Sequence, residues 1–357
     1  MSDPGLYLVP GARSCAPFAK TASSMNNGGD QTVSRCQVRG PMSDPPCAFV
    51  IASFVVACCA RVPRMPTAGE SAAALSVLVE PGGKGFNVAL GLHRLGIAVA
   101  GILATGNDAF GDMATKALSD FGLPGIRVLE KDGSTGTGVG ISDEAGDNRV
   151  AIGLGANLLL AKEDMARGLY GASLVIGQFE TCDEVLIEAF SMARSSGVET
   201  VLNPSPFRAI SGRLLGLVST LIVNEVEAEQ FGRQSGLDVG NGAEGYGALA
   251  DVVLSSGPGT LIVTCGDRGL IAFRRSHPPC RVPAFSVPCV DPLGAGDAFT
   301  AAFCASLLRG EDFEDCLRAG SASGAFCVQR HGVIQGLPTT ADLSTLLDQH
   351  KAQVRRR

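Results

Sequence analysis

Short apolar runs alternate with amphipathic stretches over most of the chain. The longest apolar run, Cys47 to Ala60, predicts one central parallel strand that is buried on both faces. Alternating strand and helix patterns predict an α/β fold, a mostly parallel sheet covered by helices. The strand patterns after that run lie at 98–103, 174–176, 200–202, 221–223 and 261–264, and the helix patterns at 87–95, 110–121, 184–195, 244–255, 298–308 and 313–329, with one more helix from residue 225.

Two segments interrupt the alternation. Ser71 to Val79 and Gly136 to Ile152 have strand patterns with no helix between their strands, and the second has a turn at 143–147 that predicts a hairpin. They predict a small β-sheet, with strands at about 70–82 and 134–153, that projects from the core. Such a sheet is either a lid that excludes water from a reacting group or a plain edge hairpin.

The two ends of the chain differ from the middle. Residues 1–45 are rich in Gly, Pro, Ser and Asn without apolar periodicity, which predicts a disordered leader. The sequence Met-Ser-Asp-Pro at residue 1 recurs at Met42, so we expect the working protein to begin there. The predicted folded domain covers 46–342, and 343–357 form a helix end and a basic tail.

Composition narrows the class of protein. Of 357 residues, 45% are hydrophobic and the formal net charge is −6, which gives no electrostatic footprint for nucleic acid. The run from Cys47 is shorter than the roughly 20 residues that a membrane span needs, so no membrane partner is predicted. The twelve cysteines lie mostly in apolar runs without a Cys-x-x-Cys spacing, which predicts free thiols in a cytoplasmic protein.

The strongest chemical signal is a turn near the C-terminus. The segment Phe285 to Val290 predicts a strand, a helix is predicted from Ala298, and Gly294-Ala295-Gly296-Asp297 lies between them. Small residues before a helix N-terminus form an anion site. An aspartate there repels phosphate, unless it serves to take a proton from a hydroxyl during phosphoryl transfer. A simple helix cap is the alternative interpretation of Asp297.

Three further motifs have two interpretations each. The glycine-rich stretch Gly82 to Asn87 lets backbone approach a small ligand or hinges a lid, or it is a helix-capping turn. Asn224 and Glu227 have capping-box spacing, and they also suit the ordering of water around magnesium. The loop Thr264 to Gly269 allows a nucleotide to lie across its glycines, or it is a hairpin turn.

The order of these motifs resembles that of the ribokinase-like (PfkB) carbohydrate kinase family, closest to ribokinases. The resemblance extends from about Ala48 to Pro338, and it implies a three-layer α/β/α sandwich with a β-sheet lid over the sugar. It also implies ATP-dependent phosphorylation of a sugar hydroxymethyl group. The motifs are Gly82-Gly83-Lys84-Gly85-x-Asn87, Asn224-x-x-Glu227, Thr264-x-Gly266-x-x-Gly269 and Asp291-x-x-Gly294-Ala295-Gly296-Asp297, supported by Arg94-Leu95-Gly96, Gly106-x-Asp108-x-Phe110-Gly111 and Gly155-Ala156-Asn157.

The resemblance implies a role for each matching residue. It implies Asp297 as catalytic base and sugar contact, an anion hole of Gly294, Ala295 and Gly296, and further sugar contacts from Gly83, Lys84, Gly85, Asn87 and Glu180. It implies nucleotide contacts from Asn224, Cys265, Gly266, Asp267, Arg268, Gly269, Leu270 and Gly296. It implies Mg²⁺ held through water by Glu227, a K⁺-type ion near Asp291, Leu293 and Gly332, and a homodimer formed through the lid.

Three positions depart from the family pattern. Val55 and Ala57 stand where ribokinases have an Asn and an Asp that bind ribose hydroxyls, so the acceptor is expected to be less polar at that edge. Pro292 replaces a usual threonine and removes a backbone donor near the expected cation site. A nucleoside kinase and a non-catalytic sugar- or nucleotide-sensing protein on the same fold therefore stay open as alternatives.

Overall fold

The computed structural model describes residues 47–145, 147–240 and 243–354. The predicted leader, the expected start at Met42 and the final Arg355 to Arg357 lie outside these residues. The strands are β1 (Cys47–Ile51), β2 (Val55–Val62), β3 (Ser76–Gly82), β4 (Ala98–Thr105), β5 (Ile126–Glu130), β6 (Gly136–Asp143), β7 (Asn148–Gly153), β8 (Leu174–Gln178), β9 (Glu199–Asn203), β10 (Thr220–Asn224), β11 (Thr260–Thr264), β12 (Leu270–Arg274) and β13 (Cys280–Val282).

The helices follow the predicted alternation. Three short 3₁₀ helices, Gly155–Leu159, Lys162–Arg167 and Gly266–Arg268, lie in connections. The α-helices are α1 (Lys84–Arg94), α2 (Ala109–Asp120), α3 (Asp183–Ser195), α4 (Gly212–Leu215), α5 (Glu225–Gln234), α6 (Ala243–Ser255), α7 (Ala295–Leu308), α8 (Phe313–Cys327), α9 (Val333–Gly336) and α10 (Thr340–Val354). No helix in the described ranges is long and apolar enough to cross a bilayer.

The described residues contain one large sheet. Its nine strands lie in the order β13-β12-β11-β10-β9-β8-β1-β4-β5. The seven strands from β11 to β5 are parallel to their neighbours, and β12 and β13 are antiparallel at one edge. The mostly parallel sheet predicted from the alternation is therefore confirmed.

Helices cover both faces of this sheet. Along β1, Ala48 and Val50 face the core formed with α1, α7 and α8, while Phe49 and Ile51 face the core formed with α3, α5 and α6. Successive side chains of a strand point to opposite faces, so a strand buried on both sides has a continuous apolar sequence. The three-layer α/β/α fold is confirmed.

The long apolar run was wrongly predicted as one strand. The chain leaves the large sheet after Ile51 and resumes at Val55 as β2 of a second sheet. The side chain of Asn157 fixes the break, because it accepts from the Phe54 N–H at 2.9 Å and donates to the Phe54 carbonyl at 2.7 Å. Apolar periodicity cannot separate one buried strand from two in succession.

The second sheet, which we call the lid, consists of β3, β2, β6 and β7 in that order. The hairpin predicted at 136–152 is confirmed as β6 and β7. The other predicted lid strand begins at Ser76 rather than Ser71, and β2, which the sequence pattern assigned to the core, lies between β3 and β6.

Two boundaries near the chemical turn also differ from prediction. Residues 285–290 form no strand, since Pro283 and Pro288 lack the N–H that a ladder needs. Helix α7 begins at Ala295 instead of Ala298, which places Asp297 inside its first turn.

At the C-terminal end, helix α10 extends across the domain boundary expected at residue 342.

Candidate active site

The carboxyl ends of five adjacent parallel strands meet at one edge of the large sheet. In parallel sheets, ligands bind beyond this edge because the loops that follow the strands converge there. The polar residues that follow β1, β8, β9, β10 and β11 in this structure are Ser53, Glu180, Ser205, Glu227 and the loop from Cys265.

The glycine-rich loop packs against the end of β1. Gly83 has φ of 104° and is the N-cap residue before helix α1. A Cβ at Gly83 would lie 2.7 Å from the Ser53 carbonyl oxygen, and one at Gly85 would lie 2.4 Å from the Ala52 Cα. These contacts exclude larger residues. The loop therefore holds the side chains of Lys84 and Asn87 at a fixed distance from β1.

Glu180 joins this loop to β8. Its buried carboxylate accepts from the Ser53 hydroxyl at 2.6 Å and from the Lys84 N–H at 2.7 Å. Burial raises the pKa of Glu180, and these hydrogen bonds together with the Lys84 ammonium oppose that rise. The Glu180 carboxylate thus lies at the glycine-rich loop, the position that the family resemblance implies for a sugar contact.

Asp297 lies against the same loop although 210 residues separate it from Asn87. The Asn87 Nδ2 donates to the Asp297 carboxylate at 2.8 Å, and Asp297 is 4% exposed. Burial raises the pKa of Asp297, while the Lys84 charge and the Asn87 hydrogen bond lower it. Burial also opposes the charge on Lys84, but the carboxylates of Asp297, Glu180 and Glu227 prevail and raise its pKa.

One polar atom beside this pair lacks a partner. The Asn87 Oδ1 is buried and receives no hydrogen bond from the described parts of the chain. A buried acceptor left without a donor costs about 1–3 kcal/mol. A donor supplied by a ligand, such as a hydroxyl, would therefore stabilise this end of the site.

The N-terminus of α7 has the features of an anion site. Gly294, the N-cap residue before α7, lies in the left-handed region with φ of 79°, and its side chain provides no capping hydrogen bond. The first N–H groups of a helix have no partner within it, and the helix dipole favours negative charge there. Asp297 is the third residue of α7 and Gly294 is its N-cap, so the helix-cap interpretation does not describe Asp297.

Asn224 and Glu227 form the capping box that their spacing predicted. The Asn224 side chain accepts from the Glu227 N–H, and the Glu227 carboxylate accepts from the Asn224 N–H, both at 2.9 Å. Burial raises the pKa of Glu227, and hydrogen bonds from the Asn224 backbone and from the side chain of Ser205 oppose that rise. The single carboxylate suits Mg²⁺, which takes few protein ligands and keeps waters.

The loop from Cys265 to Leu270 is a hairpin turn between β11 and β12. Its beginning lies beside β10, where Asn224 pairs with Thr264. Gly266, Asp267 and Arg268 are exposed, while Cys265, Gly269 and Leu270 are buried. Arg268 forms an ion pair with Glu225, the first residue of α5. Only residues 266–268 of this loop are therefore open to contact with a ligand from solution.

The residues expected around a monovalent cation lie together. The Asp291 carboxylate accepts from the Leu293 N–H at 3.0 Å and from the Gly332 N–H at 3.2 Å. The donor set is carboxylate and carbonyl oxygen, which suits a hard cation. The lid reaches this point, because a Cβ at Gly332 would lie 3.1 Å from a carboxylate oxygen of Glu80 on β3.

Comparison with known proteins agrees with this geometry. The model of the pfkB family carbohydrate kinases matches residues 48–340, and the chain belongs to that family. It is a phosphotransferase, an ATP-dependent sugar kinase of the ribokinase type.

Individual relatives are similar over most of their length. Ribokinase of Staphylococcus aureus is 30% identical over 74% of this chain and 86% of its own, and mouse ribokinase is 30% identical over 80% and 89%. The structure of Arabidopsis thaliana ribokinase complexed with ribose and ATP covers 85% of this chain and 98% of its own, with 27% identity and a TM-score of 0.75.

Sequence reasoning missed several residues that shape the site. Ser53, Ser205 and Arg208 were not singled out, although each contacts a functional carboxylate or its backbone. Ser53 offered one signal, a polar residue inside an apolar run. Ser205 and Arg208 offered none, because their roles depend on which strands become neighbours.

The two glycines of the α7 turn should respond differently to alanine. A Cβ at Gly294 would lie 2.5 Å from the Val333 Cγ1 in a left-handed conformation, which by itself costs about 1–2 kcal/mol. A Cβ at Gly296 would meet no atom within 4 Å. We expect Gly294→Ala to lower the free energy of unfolding by at least that amount and Gly296→Ala to leave it within about 0.5 kcal/mol, measured by urea denaturation. Equal losses in both variants would contradict this geometry.

Proposed function

We propose that this kinase transfers the γ-phosphate of ATP to the hydroxymethyl group of a furanose-type sugar. The observation that supports it most is the 2.8 Å hydrogen bond between Asn87 and Asp297. It joins the glycine-rich loop, where the resemblance implies the sugar, to the helix N-terminus suited to phosphate. A hydroxyl between the two lies within reach of both a base and an anion site.

The sugar is held beneath the lid by Gly83, Lys84, Gly85, Asn87 and Glu180. Their carboxylate accepts hydrogen bonds from sugar hydroxyls, the ammonium donates them, and the amide does both. The unpartnered Asn87 Oδ1 is one such acceptor. The lid above excludes water, which would otherwise compete with the sugar for the phosphoryl group.

Asp297 accepts the proton of the hydroxymethyl group as the sugar oxygen attacks the γ-phosphorus, the bond from that phosphorus to the bridging oxygen breaks, and ADP leaves. Its raised pKa brings it nearer the working pH, where a general base is most efficient. The N–H groups at the start of α7, those of Gly294, Ala295 and Gly296, stabilise the charge on the transferring group. The Lys84 ammonium, close to Asp297, Glu180 and Glu227, offsets negative charge on both sides of the reacting atoms.

ATP lies along the end of β11. Asn224 and the exposed residues Gly266, Asp267 and Arg268 contact it, while the buried Cys265, Gly269 and Leu270 shape the loop. Glu227 would hold Mg²⁺ through water, and this ion when bound neutralises phosphate charge. Oxygen atoms of Asp291, Leu293 and Gly332 would hold a K⁺-type ion.

A less polar acceptor is the second candidate. Val55 and Ala57 share one face of the lid with Gly138, and a Cβ at Gly138 would lie 3.5 Å from Val55 and 3.8 Å from Ile152. The side chains of Val55 and Ala57 offer no hydrogen bond, which favours a deoxy sugar or a nucleoside over ribose. Deoxyribokinase of Salmonella typhi is 29% identical over 84% of this chain and 97% of its own.

The cysteines support a cytoplasmic enzyme. Nine cysteines of the described residues, from Cys58 to Cys327, are free thiols, and several lie in the core. Thiols that stay reduced are typical of a reducing compartment.

A sugar panel and one substitution test the proposed activity. With Mg-ATP and K⁺ we expect phosphorylation of at least one of ribose, deoxyribose, fructose or a nucleoside. Asp297→Asn should lower kcat by about 10²–10⁴, since it removes the base, while nucleotide affinity is kept. A coupled assay and nucleotide titration measure both. Asp120→Asn, on the exposed face of α2, is the control.

Turnover of Asp297→Asn within a few-fold of the parent would overturn the role of the base. ATP binding without phosphorylation of any acceptor would favour the sensing protein instead.

The pH profile tests the charge balance around Lys84. The raised pKa of Asp297 places the acid limb of kcat/KM above the ordinary aspartate value of about 3.9, because activity is lost as the base is protonated. Lys84→Met removes a charge that lowers this pKa, so the acid limb should move to higher pH. Lys84→Arg keeps the charge and should leave the limb in place. An unchanged limb in Lys84→Met would contradict the assignment.

We also propose a homodimer through the lid. Val77, Val79 and Val139 lie on one lid face, and each is about half exposed or more. Apolar surface of this kind marks an interface. Light scattering should find a dimer, and Val79→Lys with Val139→Lys should give a monomer. Ser76→Lys, also on β3, is the control; a monomeric parent would rule the proposal out.

A further inference from the structure

The loop after β9, Pro204 to Ile210, lies between the two halves of the site. In the large sheet β9 stands between β8, which is followed by Glu180, and β10, which is followed by Glu227. The proposed sugar contacts thus lie on one side of this loop and the proposed Mg-ATP contacts on the other.

Arg208 of this loop binds the backbone on both sides of Glu180. Its guanidinium donates to the Phe179 carbonyl at 2.7 Å and to the Thr181 carbonyl at 2.8 Å. It also lies 3.9 Å above the Phe179 ring and pairs with Asp183 at 2.5 Å. The planar fork of arginine makes several such bonds at once, which a lysine ammonium cannot do in the same geometry.

The same loop also contacts the main chain of Phe179, the residue before Glu180. The Phe179 N–H donates to the Ser205 carbonyl at 3.1 Å, and the Glu180 N–H donates to the Gln178 side chain. The peptide groups around Glu180 are therefore bound from three directions. Its carboxylate reaches Ser53 and Lys84 from a backbone that has little freedom to move.

Ser205 has the corresponding position at Glu227, on the side of the proposed Mg-ATP contacts. Its buried side chain lies beside the Glu227 carboxylate and, like the Asn224 N–H, opposes the rise in the pKa of that group. Ser205 thus lies beside Glu227, while Arg208, three positions later, binds the backbone next to Glu180. Both carboxylates raise the pKa of Lys84.

We propose that the loop from Pro204 to Ile210 sets the spacing between the sugar-side and phosphate-side carboxylates, with Arg208 the positioning residue for Glu180 and Ser205 the positioning residue for Glu227. Displacement of a catalytic group by about 1 Å can lower the rate by about 10²-fold, so such supports affect activity without touching a substrate. This inference rests on the proposed division of the site into sugar and nucleotide sides.

The two supports predict a crossed pattern of kinetic effects. In the full chain, Arg208→Lys should raise KM for the sugar by about five- to tenfold and leave KM for Mg-ATP within about twofold. Ser205→Ala should raise KM for Mg-ATP by a similar factor, about five- to tenfold, with KM for the sugar unchanged. Arg213→Lys and Ser119→Ala, both exposed, are matched controls.

A purely structural role gives a different result. If both variants change both KM values together, or only lower the Tm, the inference is overturned. Should Arg208→Lys not fold, Asp183→Asn is the second variant, because it removes the ion pair that orients the Arg208 guanidinium. It should raise KM for the sugar alone.

Failure of the proposed function is distinguishable from failure of this inference. A parent chain that phosphorylates no sugar contradicts the function. The rise in Tm that Mg-ATP produces then tests the inference. A smaller rise in Ser205→Ala than in the parent, with the rise kept in Arg208→Lys, supports the inference. An equally reduced rise in both variants, or an unchanged rise in both, overturns it.

Discussion

The site depends on the balance between three buried carboxylates and the ammonium group of Lys84. Burial raises the pKa of Asp297, Glu180 and Glu227, and the nearby positive charge opposes each rise. Buried carboxylates without such a partner would take up protons or destabilise the fold. The three come from the first turn of α7, the end of β8 and α5, so one lysine holds together elements that are distant in sequence.

The position of this lysine follows from the contact between the glycine-rich loop and β1. Gly83 and Gly85 fit against Ala52 and Ser53 because they lack side chains. At the same place the chain leaves the large sheet and enters the lid, and Asn157 fixes that crossing. The crossing into the lid and the support of Lys84 therefore share one piece of backbone.

Some of this could be predicted from the sequence because the signals are local. The alternation of apolar runs gave the parallel sheet, and Asn224 with Glu227 gave a capping box by spacing alone. Other predictions failed where the decisive contact is distant. The run from Cys47 contains two strands because Asn157, a hundred residues later, binds Phe54. Within the run, only the single polar residue Ser53 lies at the break.

The sequence by itself determined the fold class, the family and the residue types available for chemistry, since periodicity, turn residues and motif order are written along the chain. Only the tertiary structure decided which of those residues meet. The hydrogen bond from Asn87 to Asp297 and the support of Glu180 by Arg208 depend on strand order in the sheet. Strand order is set by the summed packing of the whole core, which no local stretch of sequence specifies.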